Sequence, residues 1–203
     1  MHAIVFDIDG TLIQSASTDD VIYKESVESV LGQVRFRGSL SDYELITDGG
    51  ILLQLLEDNA VEPESHIIEA IKIEFLNRIQ YHISLNGPFS EVPGARQLLE
   101  RLAKSPHHAV AIATGGWRST AQLKLHTAGF EVSGIPLATS DDAIDRTEIM
   151  KIALARLGRQ FDAITYFGDG EWDKAACHRL GWNFKAVGSM LGGIESYHGT
   201  IVD

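Results

Sequence analysis

The sequence predicts an α/β protein: a parallel sheet covered by helices on both faces, with a helical unit inserted after the first strand. Three observations carry this expectation. Short apolar runs rich in β-branched residues recur along the chain. From Pro93 onward they alternate with helical patterns, the rhythm of right-handed βαβ units. Between about Ser15 and Gly87 the alternation stops, and helical patterns follow one another.

The strands are expected at AIVFDID (3–9), AVAIAT (109–114), AITYFGD (163–169) and FKAVG (184–188), with GIPLAT (134–139) a weaker fifth. The helices between them run from Pro93 to Lys104, Ser119 to Ala128, Thr147 to Leu157 and Asp173 to Leu180. Gly129, Gly158 and Gly181 directly follow three of these patterns, where a residue tolerant of positive φ ends a helix without strain. In the inserted stretch, apolar residues at helical spacing mark VIYKESVESVL (21–31), GILLQLLEDNAV (50–61) and SHIIEAIKIEFLNRI (65–79). The expected organisation is therefore a core of residues 1–14 and 88–203 and a helical cap of residues 15–87.

Composition narrows the function. At 203 residues the chain can bury one sizeable core plus a smaller unit. A formal net charge of −11 excludes tracking along a nucleic-acid backbone, which needs clustered Lys and Arg. An anionic substrate would need a local positive site, such as a metal ion. A lone cysteine, Cys177, allows no intrachain disulfide or thiolate zinc cluster, in keeping with a reducing cytosol. It falls on the apolar stripe of its helix with Ala176 and Leu180, as a small core residue would. The histidines lack metal-ligand spacing. The first strand pattern begins almost at Met1, leaving no room for a signal peptide, and no apolar stretch approaches the ~20 residues of a membrane span. The expected location is cytoplasmic, with no membrane partner.

Three motifs carry chemistry. FDIDGT (6–11) ends an apolar strand in Asp7 and Asp9, which a strand period of two would project to one side. AVAIATGG (109–116) ends in Thr114 and the pair Gly115–Gly116, where a hydroxyl beside backbone N–H groups at a helix start could hold a phosphate oxygen. ITYFGDGEWDKAA (164–176) ends in Asp169, with Asp173 four residues on. Acids at a strand end without a basic partner are costly unless a cation compensates, and magnesium prefers such ligands. Each motif alone also fits an ordinary turn or helix cap. Together they fall at the carboxyl ends of strands in one sheet, where open α/β folds bind ligands.

On these motifs the chain resembles the haloacid dehalogenase superfamily. FDIDGT looks like its first motif, the strand ending in Thr114 its second and GDGEWD its fourth. The resemblance implies a Rossmann-like core of strand order 3-2-1-4-5, a mobile cap and a Mg2+-dependent phosphatase acting on a small phosphorylated metabolite. Asp7 would be the nucleophile and Asp9 the general acid/base. Magnesium would be held by the side chains of Asp7 and Asp169 and the backbone carbonyl of Asp9. Thr114 and a third-motif cation would hold phosphate oxygens, with Gly115 and Asp173 in support. The usual lysine is not obvious. Arg146, 23 residues before Asp169, fits the expected spacing better than Lys151, which would lie inside a helix. In the cap, Thr47 and Asp48 of LITDGG are candidates for substrate selection, or for a capping turn. Trp172 could line the pocket or pack beneath its loop. Rival readings are a phosphomutase of the β-phosphoglucomutase type, which uses the same core residues, and an idle binding protein on the same fold. A dehalogenase needs neither Asp9 nor Asp169. Oligomeric state is not legible.

Overall fold

The computed structural model describes residues 1–200. Five parallel strands, β1 (His2–Phe6), β2 (His108–Ala113), β3 (Leu137–Ala138), β4 (Ala163–Gly168) and β5 (Asn183–Ala186), form one sheet of order β3-β2-β1-β4-β5. Among the described residues, seven α-helices accompany them: α1 (Ala16–Leu31), α2 (Asp48–Asp58), α3 (Ser65–Asn86), α4 (Ala95–Ala103), α5 (Arg118–Thr127), α6 (Arg146–Ala155) and α7 (Glu171–Leu180). No helix of the described residues is long and apolar enough to cross a membrane.

The period of two in a strand decides which helices cover which face. On β1, Ile4 and Phe6 pack with Leu98, Leu99 and Leu102 of α4 and with Ala121 and Leu125 of α5. Val5 joins the opposite cluster, with Ile149, Met150 and Ala153 of α6 and Ala176 and Cys177 of α7. A central strand buried on both faces must be apolar throughout, and residues 3–6 are all fully buried. Gly129, Gly158 and Gly181 adopt positive φ at the helix ends, as expected.

The inserted segment leaves and rejoins the sheet at neighbouring points. Gln14 N–H donates to Ser90 O and Val92 N–H to Leu12 O, each at 2.9 Å, so its two ends run side by side. Tyr23 of α1 and Phe75 of α3 close around the ring of Trp117, at centroid distances of 5.6 and 5.8 Å. Trp117 precedes α5, so the segment is anchored beside the loop that follows β2.

Two strand expectations need correction. GIPLAT forms a strand only at Leu137–Ala138, because Gly134 turns at φ +79° and Pro136 has no N–H to donate. β1 stops at Phe6, so Asp7 and Asp9 lie on a tight loop in which the N–H groups of Thr11, Leu12 and Ile13 all bond to Ile8 O.

Candidate active site

Asp7, Thr114 and Asp169 are the first residues beyond β1, β2 and β4. The parallel register of these strands therefore sets the three side by side at one sheet edge. Arg146 is the first residue of α6, whose start is capped by Asp145 through the N–H groups of Thr147 and Glu148. A cavity of about 770 Å3 opens over this edge, lined by Asp7, Asp9, Thr114, Gly115, Arg146, Asp169 and Trp172, and by Thr47 and Asp48 from the inserted segment. The sequence-predicted residues thus converge, and Asp173 lies fully buried directly behind them.

Asp7 is anchored through its backbone, its N–H donating to Phe167 O at 2.9 Å. Its carboxylate is buried, and Oδ1 has no hydrogen-bond partner among the described residues. One oxygen from each of Asp7, Asp169 and Asp173 can lie within 4.8 Å of the others, a spacing suited to a bound cation. Asp173 is the least available of the three. Its Oδ1 accepts from Arg146 Nη1 at 2.7 Å, and its Oδ2 accepts from Gly170 N–H at 3.2 Å. Arg146 Nη1 lies 3.7 Å from Asp7 Oδ1, and Nη2 donates to Ile46 O at 3.1 Å. Lys151, the other candidate cation, is half exposed and pairs with Glu148 on the surface.

Two glycines make room for these charges. Gly10 has φ +79°, and a Cβ there would collide with the Asp169 carboxylate. At Gly115 a Cβ would collide with the Arg146 guanidinium. Gly10→Ala combines backbone strain with that collision, and should cut turnover by at least about tenfold, since small misplacements of reacting groups are costly. Steady-state kinetics beside a thermal melt checks it; wild-type kcat would remove the steric requirement.

The loop after β2 is less open than its sequence suggests. Gly116 N–H donates to Thr114 Oγ1 at 3.1 Å, Trp117 N–H to Asp48 Oδ2 at 2.8 Å and Arg118 N–H to Asp141 Oδ2 at 2.6 Å. Asp48 N–H donates in turn to Gly115 O at 2.8 Å, so the start of α2 is docked on this loop. Thr47 caps α2 by accepting from Gly50 N–H and donates to Ile144 O. The capping turn and the pocket lining, alternatives in the sequence, therefore coexist. Asp173 likewise both caps α7 and holds Arg146.

Asp9 stands apart from the three clustered acids. Its Oδ1 accepts from Ser15 Oγ at 2.5 Å and from Lys124 Nζ at 2.5 Å, and Lys124 also pairs with Asp19 at 2.8 Å. Sequence reasoning missed Lys124 and Asp19. The available signal was a lysine on the inward stripe of α5 with Ala121 and Leu125, a position a cation occupies only with buried acids to meet it.

Burial, reinforced by Asp173, raises the Asp7 carboxyl well above the usual carboxylate range despite the opposing Arg146. Burial and Asp173 lift Asp169 to about 7. Burial and neighbouring acids lift Asp48 to about 8 and Asp19 to about 6, against the pull of Lys124. Unfolding returns such groups to the ordinary range near ~4, so between about pH 4 and 8 the native state binds more protons than the unfolded one, and stability falls as pH rises. Protein stripped of metal should therefore melt higher at pH 5 than at pH 8, by about 2–4 °C for each kcal/mol involved. Scanning calorimetry in EDTA measures this. A higher melting temperature at pH 8 would contradict the electrostatic account.

Among known proteins, a family model for haloacid dehalogenase-like hydrolases matches residues 1–181. No curated sequence gives a significant match. Among solved structures, a hydrolase from Pseudomonas syringae aligns with TM-score 0.73 at 22% identity, over 92% of this chain and 84% of that one. CbbY from Rhodobacter sphaeroides, solved with phosphate, aligns with TM-score 0.69 at 18% identity over 98% and 89%. β-Phosphoglucomutase from Clostridium difficile aligns with TM-score 0.70 at 17% identity over 92% and 84%. These structural likenesses establish a common fold, and the family match over nearly the whole sequence establishes that the chain belongs to the haloacid dehalogenase-like hydrolases.

Proposed function

We propose that this hydrolase is a Mg2+-dependent phosphatase that cleaves a small phosphorylated metabolite through an aspartyl-phosphate on Asp7. The observation that supports this most is Asp7 itself: a buried carboxylate with one oxygen not hydrogen-bonded among the described residues, sharing one cavity with Asp9, Asp169 and the Arg146 guanidinium.

The residues present fit a hard divalent cation. Buried carboxylates that resist ionisation, one with an oxygen that accepts no hydrogen bond among the described residues, are what such a cation compensates. Asp7 and Asp169 are the side chains with oxygens to give, while both oxygens of Asp173 are already engaged. By the family resemblance the backbone carbonyl of Asp9 completes the protein's share. When bound, the ion supplies positive charge that reduces repulsion between the nucleophile and the phosphate.

Asp7 attacks phosphorus, forming an acyl phosphate while the bond to the leaving oxygen breaks. Asp9 gives a proton to that oxygen, and in the second half takes one from the water that releases inorganic phosphate. Thr114, the Gly115 loop and Arg146 hold the remaining phosphate oxygens. Asp173 keeps Arg146 aimed, and Gly115 gives the guanidinium its space. The segment 15–87 acts as a cap over the cavity, placing Thr47, Asp48 and the walls beyond them where the organic part of the substrate would lie.

Turnover of an aryl phosphate by the purified protein tests this reading. Activity should appear with magnesium, vanish in EDTA and return with excess magnesium, and the ion should also flatten the pH dependence of stability described above. Full activity in metal-free buffer would contradict it. A panel of phosphorylated metabolites then identifies the substrate.

A further inference from the structure

We propose that Lys124 is a positioning residue that fixes which oxygen of Asp9 transfers protons, an inference that rests on the phosphatase reading of the site. The side chain of Lys124 is 1% exposed, although it is an amine. Such a group tolerates burial only among acids, and its two are chosen from different parts of the chain: Asp9 from the loop after β1, and Asp19 from α1 of the inserted segment. The pair with Asp19 ties the inserted segment to α5, and the contact with Asp9 reaches the candidate acid/base.

Lys124 Nζ and Ser15 Oγ both donate to Asp9 Oδ1, each at 2.5 Å. Two donors on one oxygen fix the rotation of the carboxylate and leave Oδ2 as the proton-transfer atom. That oxygen faces the loop after β2. It lies 3.7 Å from the point a Cβ at Gly116 would occupy, and Thr114 Oγ1 lies 3.5 Å from the same point. Asp9 Oδ2 is thus held beside the loop assigned to the phosphate oxygens, while the cation behind it stays out of the reacting atoms.

The consequence is selective. Loss of Lys124 should impair steps that need proton transfer by Asp9, and largely spare phosphoryl transfer from a leaving group that departs unprotonated. With magnesium present, Lys124→Met should lower kcat on an alkyl phosphate by about 10–100-fold, up to the lower end of the ~10²–10⁴-fold that general acid/base catalysis supplies, since Asp9 is misplaced and not removed. On a nitrophenyl phosphate it should give a burst of nitrophenolate of about one equivalent, followed by slow turnover as water attack becomes limiting. Lys124→Arg should recover most of the alkyl rate. Asp19→Asn, which loosens the tie to α1 while keeping Lys124 on Asp9, should leave the alkyl-to-aryl ratio of first-turnover rates, read by rapid quench, at the wild-type value. Ser15→Ala removes the other donor without stranding a buried charge, and carries the same test if Lys124→Met does not fold; it should lower the same ratio. An unchanged ratio in Lys124→Met and Ser15→Ala, or an equal fall in Asp19→Asn, would overturn the proposal. Wild-type protein inert toward both phosphates would instead overturn the phosphatase reading itself.

Discussion

Asp7→Asn should abolish turnover and at the same time raise the melting temperature of the metal-free protein. The two effects share one cause. The native structure holds this carboxylate away from water, beside Asp173 and Asp169, with one oxygen lacking a hydrogen bond among the described residues. A neutral amide of nearly the same shape removes that repulsion, so the fold gains what the chemistry loses. Deleting a nucleophile or its base costs on the order of 10⁶-fold in a well-characterised hydrolase, and a loss approaching that size is expected here. Calorimetry at pH 8 in EDTA, paired with aryl phosphate kinetics, reads both. Lower stability together with retained activity would show that Asp7 is a structural acid.

Arg146→Ala should be milder in rate than Asp7→Asn, though still severe, and opposite in stability. The guanidinium is the cation that meets Asp173 at 2.7 Å and approaches Asp7 at 3.7 Å, and it is almost fully buried. Removing one partner of a buried pair strands the other charge, typically at a cost of about 3–5 kcal/mol. Loss of a donor aimed at transition-state charge is worth about 10²–10³-fold in kcat. Lys151→Ala removes only a surface pair with Glu148, and should stay within a few-fold of wild type in rate and unchanged in melting temperature. Comparing kcat and melting curves for the two variants checks this. The reverse ranking would relocate the phosphate-holding cation.

Much of the fold was legible because one physical rule governs it. Parallel strands buried on both faces must be apolar, and the acids that end them stand out against that background. The strand order and the meeting of Asp7, Thr114 and Asp169 followed from those runs and from the family resemblance. Arg146 could be preferred over Lys151 on spacing, though not its place as the first residue of α6 rather than the one before it.

What stayed hidden lacked local contrast. α3 continues to Asn86, past the expected Ile79, because Tyr81 and Leu85 are exposed apolar residues that blur the amphipathic period. α1 begins at Ala16, five residues earlier than its apolar pattern, since its first turn is largely polar and includes Asp19. Lys124 lies 115 residues from Asp9 in sequence. Periodicity marks such a lysine only as out of place, and the partner that explains it exists only once α5 is folded against the loop after β1.

The most direct test of the central claim is to look for the covalent intermediate. Asp9→Asn keeps the nucleophile and loses the proton shuttle, so with magnesium and an activated aryl phosphate it should form the acyl phosphate faster than water removes it. Acid quenching followed by intact-protein mass spectrometry and peptide mapping should find one phosphoryl group on Asp7 of that variant, and none on Asp7→Asn. Phosphate on the Asp7→Asn protein, or an Asp9→Asn variant that turns over at the wild-type rate without accumulating any, would contradict the account.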